Sequence, residues 1–328
     1  MTKSAGVSVG LVEPTTLLGR DVKAVLKERR FPARKIHLFH QTPQPGGILT
    51  ADDDEVAFVA PLTPDALETC TIAFLCGSAA DTERFLASRT DSCLAIDLSG
   101  ARREGALAVP SEGGATRALP SGNLLATPHP VAYVLAEAIA VVDALAPVAE
   151  ATAAIDRPAS ELGKAALDEL FEQAVALAAF RPVPKAAFGT QAAFNTFVPA
   201  DTVAFDARVA ADLSALLGRP LPLGILSARA GVFHGHFLRL ELRLATDAPT
   251  SAALLAAFAA RRDAFELVDP ENLSGPVESA GRDETLVLSA RPEGRRVLLT
   301  LASDHLRRGG AILAVRLAEE LLKERRIS

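Results

Sequence analysis

The chain has 328 residues, enough for two domains that each bury a core of their own. With 49% hydrophobic and 23% charged residues it reads as a soluble globular protein. A net charge of -6, without any long block of Lys and Arg, excludes a nucleic-acid binder that works through phosphate contacts and leaves room only for a small anion at a local site.

Cys70, Cys76 and Cys93 are an odd set at no metal-ligand spacing, so neither a disulfide framework nor a zinc ribbon is expected. The first ten residues, MTKSAGVSVG, hold no apolar run of signal-peptide length. The best membrane candidate, Val131 to Val148, carries Glu137 and Asp143 in its interior and reads as a packed helix instead. A cytoplasmic protein with no membrane partner is expected.

In chain order, Val7 to Val12 reads as a strand, Leu17 to Arg29 as a helix, and Lys35 to His40 and Thr71 to Cys76 as strands. Ala80 to Ser88 reads as a helix, and Cys93 to Leu98 and Leu124 to Ala126 as strands. This alternation implies a Rossmann-type doubly wound parallel sheet with ligands at the carboxyl ends of its strands. After the turn Thr127-Pro128-His129-Pro130, apolar residues at 131, 134, 135, 138, 139 and 142 follow helical spacing.

The pattern then changes. Leu238 to Leu244 alternates strictly, so its leucines face a core while Arg239, Glu241 and Arg243 face water or a partner, as in an antiparallel sheet. Thr285 to Ser289 and Arg296 to Leu301 read as a hairpin across Arg291-Pro-Glu-Gly294, and Gly309 to Lys323 as a closing helix. The fold class is α/β, a Rossmann-type sheet plus an α+β domain with an antiparallel-type sheet.

Six stretches in this order resemble the aspartate-semialdehyde dehydrogenase family: Glu28 to Pro32, Ala95 to Gly100, Leu125 to Pro128, Gln191 to Asn195, Arg229 to His236, and Ser303 to Gly310. The resemblance runs from about residue 7 to residue 323. It implies an NAD(P)-binding-like domain over residues 1–128, with 305–328 packing back on it, and a catalytic and dimerisation-like domain over 129–304. It also implies a homodimer formed through the second domain's sheet.

In that family a cysteine thiolate at the strand-turn-helix junction attacks the acyl carbon, a histidine moves the proton and NADPH supplies hydride. A thiol suits this because it is nucleophilic near neutral pH and leaves readily. On the family's junction proline, the nucleophile position falls on Pro130, a saturated ring suited to the first residue of a helix. Arg229 and His236 keep the spacing of the family's carboxylate-binding arginine and catalytic histidine, with Gly235 between them; a family glutamine maps near Arg157. The bland reading makes Arg229 a surface strand residue and His236 a satisfied polar one.

On the cofactor side, the family's phosphate-loop glycines fall on Glu13, Thr16 and Gly19, with Gly77 a further degenerate position. Glu13 would set a negative charge where a pyrophosphate lies. The bland reading is a solvated loop over Glu13 to Thr16 that caps the helix through Thr15 or Thr16. The 2′-phosphate arginine maps roughly onto Pro43.

The sequence therefore resembles the Usg-type paralogues that lack the catalytic cysteine. Three readings follow. The first is a non-catalytic dimeric scaffold or small-carboxylate binder without a cofactor. The second is an active NADP-dependent semialdehyde dehydrogenase with Cys76 as replacement thiol, against which stands the habit of strand cysteines to be small buried hydrophobes. The third is a metal-binding protein using His129, His234, His236 and His305, with His234 and His236 sharing one face of a strand.

Overall fold

The computed structural model describes residues 6–41, 48–50, 56–101, 107–110, 122–269 and 271–323. They divide into two compact units, one drawn from 1–128 and 310–328 and the other from 129–309. In chain order the first unit opens with β1 (Val7–Val12), α1 (Leu17–Glu28), β2 (Ala33–His40), β3 (Ile48–Thr50), β4 (Val56–Pro61), β5 (Ile72–Leu75), α2 (Ala79–Ser88), β6 (Leu94–Asp97) and β7 (Leu124–Ala126). The second comprises α3 (Pro130–Asp143), β8 (Val148–Arg157), a 3-10 turn (Ala159–Leu162), α4 (Lys164–Ala178), β9 (Thr196–Phe197), α5 (Thr202–Leu217), β10 (Leu223–Ala230), β11 (His236–Leu244), α6 (Ser251–Ala260), β12 (Phe265–Leu267), α7 (Pro276–Ser279), β13 (Thr285–Glu293) and β14 (Arg296–Ser303). A π turn (Arg307–Ala311) then leads into α8 (Ile312–Lys323), which belongs to the first unit.

The first sheet runs in the order β3-β4-β2-β1-β5-β6-β7. Six of its strands are parallel, and β3 joins antiparallel to β4 at the edge. Parallel strands are buried on both faces, which is why β5 is apolar and buried at every residue. One face packs Val9, Leu11, Ile72, Phe74 and Ile96 against the apolar stripes of α1 and α8. The other packs Val12, Phe39, Ala73 and Leu75 around Phe85 and Leu86 of α2. α1 is anchored to α8 by Arg29, whose Nε and NH2 donate to the Glu319 carboxylate at 2.9 and 2.7 Å.

The second sheet, ordered β12-β13-β14-β11-β8-β10-β9, is mixed rather than antiparallel. β8 pairs parallel to β10 and β12 parallel to β13, while β8, β11, β14 and β13 pair antiparallel in succession. Strict alternation in β11 buries Leu238, Leu240, Leu242 and Leu244 and leaves Arg239 and Arg243 outside. Those leucines meet Val134, Leu135, Ile139 and Val142 of α3 together with Phe258 of α6 in one core. The hairpin is longer than the expected one: β13 continues through Arg291 and Pro292, and Glu293 pairs with Arg296 across Gly294, which takes φ 63°. The closing helix starts at Ile312, because residues 307–311 form a wider turn.

Glu137, the charge inside the apolar helix α3, is buried and paired with Arg308, whose Nε donates to it at 3.1 Å while NH1 donates to the Asp263 carbonyl at 2.8 Å. A buried carboxylate needs such a partner to stay ionised. No helix among the described residues is long and apolar enough to cross a membrane.

Candidate functional site

In the first unit, ligands of doubly wound sheets lie outside the carboxyl ends of the strands, where the order reverses beside β1. The chain leaves β1 through Glu13, at φ 59° in the left-handed region, with its N–H donating to the Phe39 carbonyl at 2.8 Å. Its carboxylate accepts from the Gln41 N–H at 2.7 Å and lies 2.8 Å from His40 Nδ1, so it is tied to the end of β2 and is not part of a solvated loop. Thr16 caps α1, accepting from the Gly19 N–H at 3.0 Å and donating to the Glu13 carbonyl at 2.9 Å.

A Cβ at Gly19 would lie 2.3 Å from the Glu13 carbonyl oxygen, so glycine is demanded there by the turn itself. One at Gly77 would stand 3.3 Å from both Gln41 Oε1 and Glu13 Cγ, which places those two side chains over Gly77. These residues do not fit a pyrophosphate: the helix start is capped by Thr16, and an anion set beside it would meet the Glu13 carboxylate. Pro43 lies outside the described residues.

Cys76 is buried at the end of β5, and burial, with Asp97 and Glu13 nearby, pushes its thiol upward. Burial likewise raises Cys70 to about 11 and Cys93 to about 12. A thiol at these values is protonated at neutral pH and is a poor nucleophile, so Cys76 does not have the character of a replacement thiol.

In the second unit, Pro130 is the first residue of α3, where its missing N–H has no helical partner to lose. His129 caps the helix, its Nδ1 accepting from the Val131 N–H at 3.2 Å while its own N–H donates to Asp212 Oδ2 at 2.7 Å. Burial pushes the His129 imidazole down to about 3, so it is neutral and serves the helix start. Gly309 closes against this turn: a Cβ there would lie 2.5 Å from Pro130 Cα.

Arg157, Arg229 and His236 converge, and the group at their centre is Glu161. Arg157 ends β8, Arg229 is on the neighbouring β10, and His236 opens β11. Glu161 Oε2 accepts from Arg157 Nε at 2.7 Å and from Arg229 NH2 at 3.1 Å, and Oε1 lies 3.0 Å from His236 Nε2. Arg157 also donates NH1 and NH2 to the two oxygens of Asp201 at 3.0 and 2.8 Å, and its guanidinium stacks 3.8 Å above the Phe205 ring. Arg229 NH1 donates to the Pro158 carbonyl at 2.8 Å. Arg229 is 1% exposed, which removes its reading as a surface strand residue.

Burial by itself would raise the Glu161 carboxyl, but the His236 hydrogen bond and the charges of His236 and Arg157 hold it well below the usual range. Position comes from the backbone. The N–H groups of Ala159 and Ser160 donate to the carbonyls of Val232 and Phe233, both at 2.9 Å, tying the 3-10 turn to the loop that feeds His236. Gly235 in that loop takes φ 83°, and a Cβ on it would lie 2.5 Å from the Pro276 carbonyl oxygen. Neither Glu161 nor Asp201 stood out in the sequence; the four-residue spacing of Arg157 and Glu161 was the one local signal.

His305 is buried with its ring edge-on to His236, 4.9 Å between centroids. Among the described residues neither of its ring nitrogens has a hydrogen-bond partner, and burial pushes its imidazole well below its ordinary value. His234 lies in a bend, since β11 starts at His236, so the two do not share a strand face as expected. Among the described residues no group of three or more His, Cys, Asp or Glu is placed to hold a metal ion.

No family model matches the chain. An aspartate-semialdehyde dehydrogenase of Rickettsia conorii is 26% identical over 98% of this chain and 99% of its own length. A USG-1 protein homolog of Pseudomonas aeruginosa is 29% identical over 98% of this chain and 99% of its own. Among solved structures, a probable aspartate-semialdehyde dehydrogenase from Pseudomonas aeruginosa superposes with a TM-score of 0.85 at 29% identity, covering 98% of this chain and 99% of that one.

Proposed function

Because the chain belongs to the aspartate-semialdehyde dehydrogenase family, with USG-1 protein homologs among its relatives, we propose that it is a non-catalytic member that acts as a homodimeric scaffold. The observation that carries this reading is Pro130 as the first residue of α3, at the junction where the chemistry of the family's name needs a thiolate. Cys70, Cys76 and Cys93 give no substitute, since all three are buried and their thiols are shifted upward.

The cofactor side supports the same reading. Glu13 presents a carboxylate at the end of β1, bound to His40 and Gln41, and no nicotinamide cofactor is part of the proposal. The outer face of the second sheet, with Thr152, Arg239 and Arg243 exposed, is the surface through which the dimer would form.

The test is turnover. Purified protein is incubated with aspartate semialdehyde, NADP and inorganic phosphate, and reduction of the nicotinamide is followed by absorbance. No reduction above the protein-free control is expected. Reduction that scales with protein, survives repurification and requires phosphate would overturn the proposal.

A further inference from the structure

We infer that Glu161 is a built-in ligand: its carboxylate holds the place between Arg157, Arg229 and His236 that a small external carboxylate would otherwise take, so the wild-type site turns such molecules away and becomes a receptor for them when this side chain is removed.

Charge and contact both point this way. The cluster sets Arg157, Arg229 and His236 around Glu161, whose carboxylate is the acceptor all three share, with Asp201 as a second carboxylate on Arg157. A further carboxylate would bring a third negative charge into a poorly solvated site, where like charges repel more strongly than in water. The donors are committed as well: Arg157 uses three nitrogens on Glu161 and Asp201, and Arg229 divides NH1 and NH2 between the Pro158 carbonyl and Glu161.

The occupant is also held from its own side. Glu161 sits in a 3-10 turn whose preceding N–H groups are bonded to the carbonyls of Val232 and Phe233, so an external carboxylate would have to displace a tethered one. A tethered ligand competes at high effective concentration, because it has no translational freedom left to lose. Without Glu161, Arg229 and His236 would both still face the space its carboxylate fills, with Arg157 still held by Asp201. A buried charge deprived of its partner is costly, and a small anion that restores the pair should bind.

The inference rests on the second unit alone and not on the missing thiol, so turnover and carboxylate binding can fail separately. The experiment titrates sodium formate and sodium acetate into wild-type protein, Glu161→Ala, and Glu161→Ala combined with Arg229→Gln, with sodium chloride at matched ionic strength. Thermal unfolding and titration calorimetry are the readouts. Wild type should show no saturable binding and no carboxylate-specific rise in Tm. Glu161→Ala should bind formate or acetate saturably and regain Tm with it, and the double variant should bind at least about tenfold more weakly.

If Glu161→Ala does not accumulate folded, it is refolded in formate and in chloride; recovery in formate alone supports the inference, and equal failure in both overturns it. Saturable formate binding by wild type as tight as by Glu161→Ala, or no binding by a folded Glu161→Ala, also overturns it.

Discussion

Glu161 and His236, 75 positions apart in the chain, meet through Oε1 and Nε2 at 3.0 Å inside a cluster where Glu161 is also bound by Arg157 and Arg229. Replacing that carboxylate by an amide keeps its volume but leaves the charges around it uncompensated. Glu161→Gln is expected to lower stability by about 3–5 kcal/mol, the range for breaking a buried ion pair from one side. Urea unfolding of the two proteins measures it, and a loss no larger than that of an exposed surface substitution would contradict the buried-pair description.

Acidity acts on the same region with a definite sign. His129 is pushed down to about 3, and His305 also lies well below 6.5, so on acidification the unfolded chain takes up these protons before the folded one does. The stability they contribute is complete above pH 6.5 and declines below it. Glu161 is depressed from 4.5, so its share is present above that value and is lost as pH falls further. Unfolding free energies across the acid range should therefore begin to fall below pH 6.5 and steepen below 4.5. His129→Asn, which keeps a capping side chain, should flatten the first part of that fall.

Thiol chemistry gives a third expectation. Cys70, Cys76 and Cys93 are buried, and burial raises each thiol. An aromatic disulfide reagent at neutral pH should label none of them in native protein and all three after denaturation. Rapid labelling of one thiol in the folded state would reopen Cys76 as a nucleophile.

At the start of α3 the backbone itself is testable. A methyl group on residue 309 would stand 2.5 Å from Pro130 Cα and 3.0 Å from the Pro130 carbonyl oxygen, and neither is the end of a flexible side chain. Gly309→Ala is expected to cost about 1–3 kcal/mol in thermal or urea unfolding. A neutral effect would show that the turn can open without loss.

Elements with strong periodicity were legible in the sequence. Strict alternation over Leu238 to Leu244 marks β11 and its buried face, and the helical spacing after Pro130 marks α3. β8 was not legible: VAEATAAIDR is rich in alanine, and its place in the sheet is set by its neighbours β10 and β11 rather than by its own pattern.

The same limit applies to the site. Pro130, Arg229 and His236 could be placed by their neighbours along the chain, and the structure brings Arg229 and His236 to one carboxylate. That carboxylate, Glu161, has its role fixed by contacts 4, 68 and 75 residues away, which leave no local mark beyond its spacing from Arg157. Glu13 shows the converse case, since its intrusion was legible but its anchorage on His40 and Gln41 required the folded ends of β1 and β2.

The most direct test of the central claim looks for the covalent step itself. Purified protein is incubated with aspartate semialdehyde, NADP and phosphate, and intact-mass spectrometry with peptide mapping follows each cysteine. An unmodified chain and an unreduced nicotinamide are expected. A thiol adduct of the substrate on Cys70, Cys76 or Cys93, formed together with NADPH, would contradict that claim.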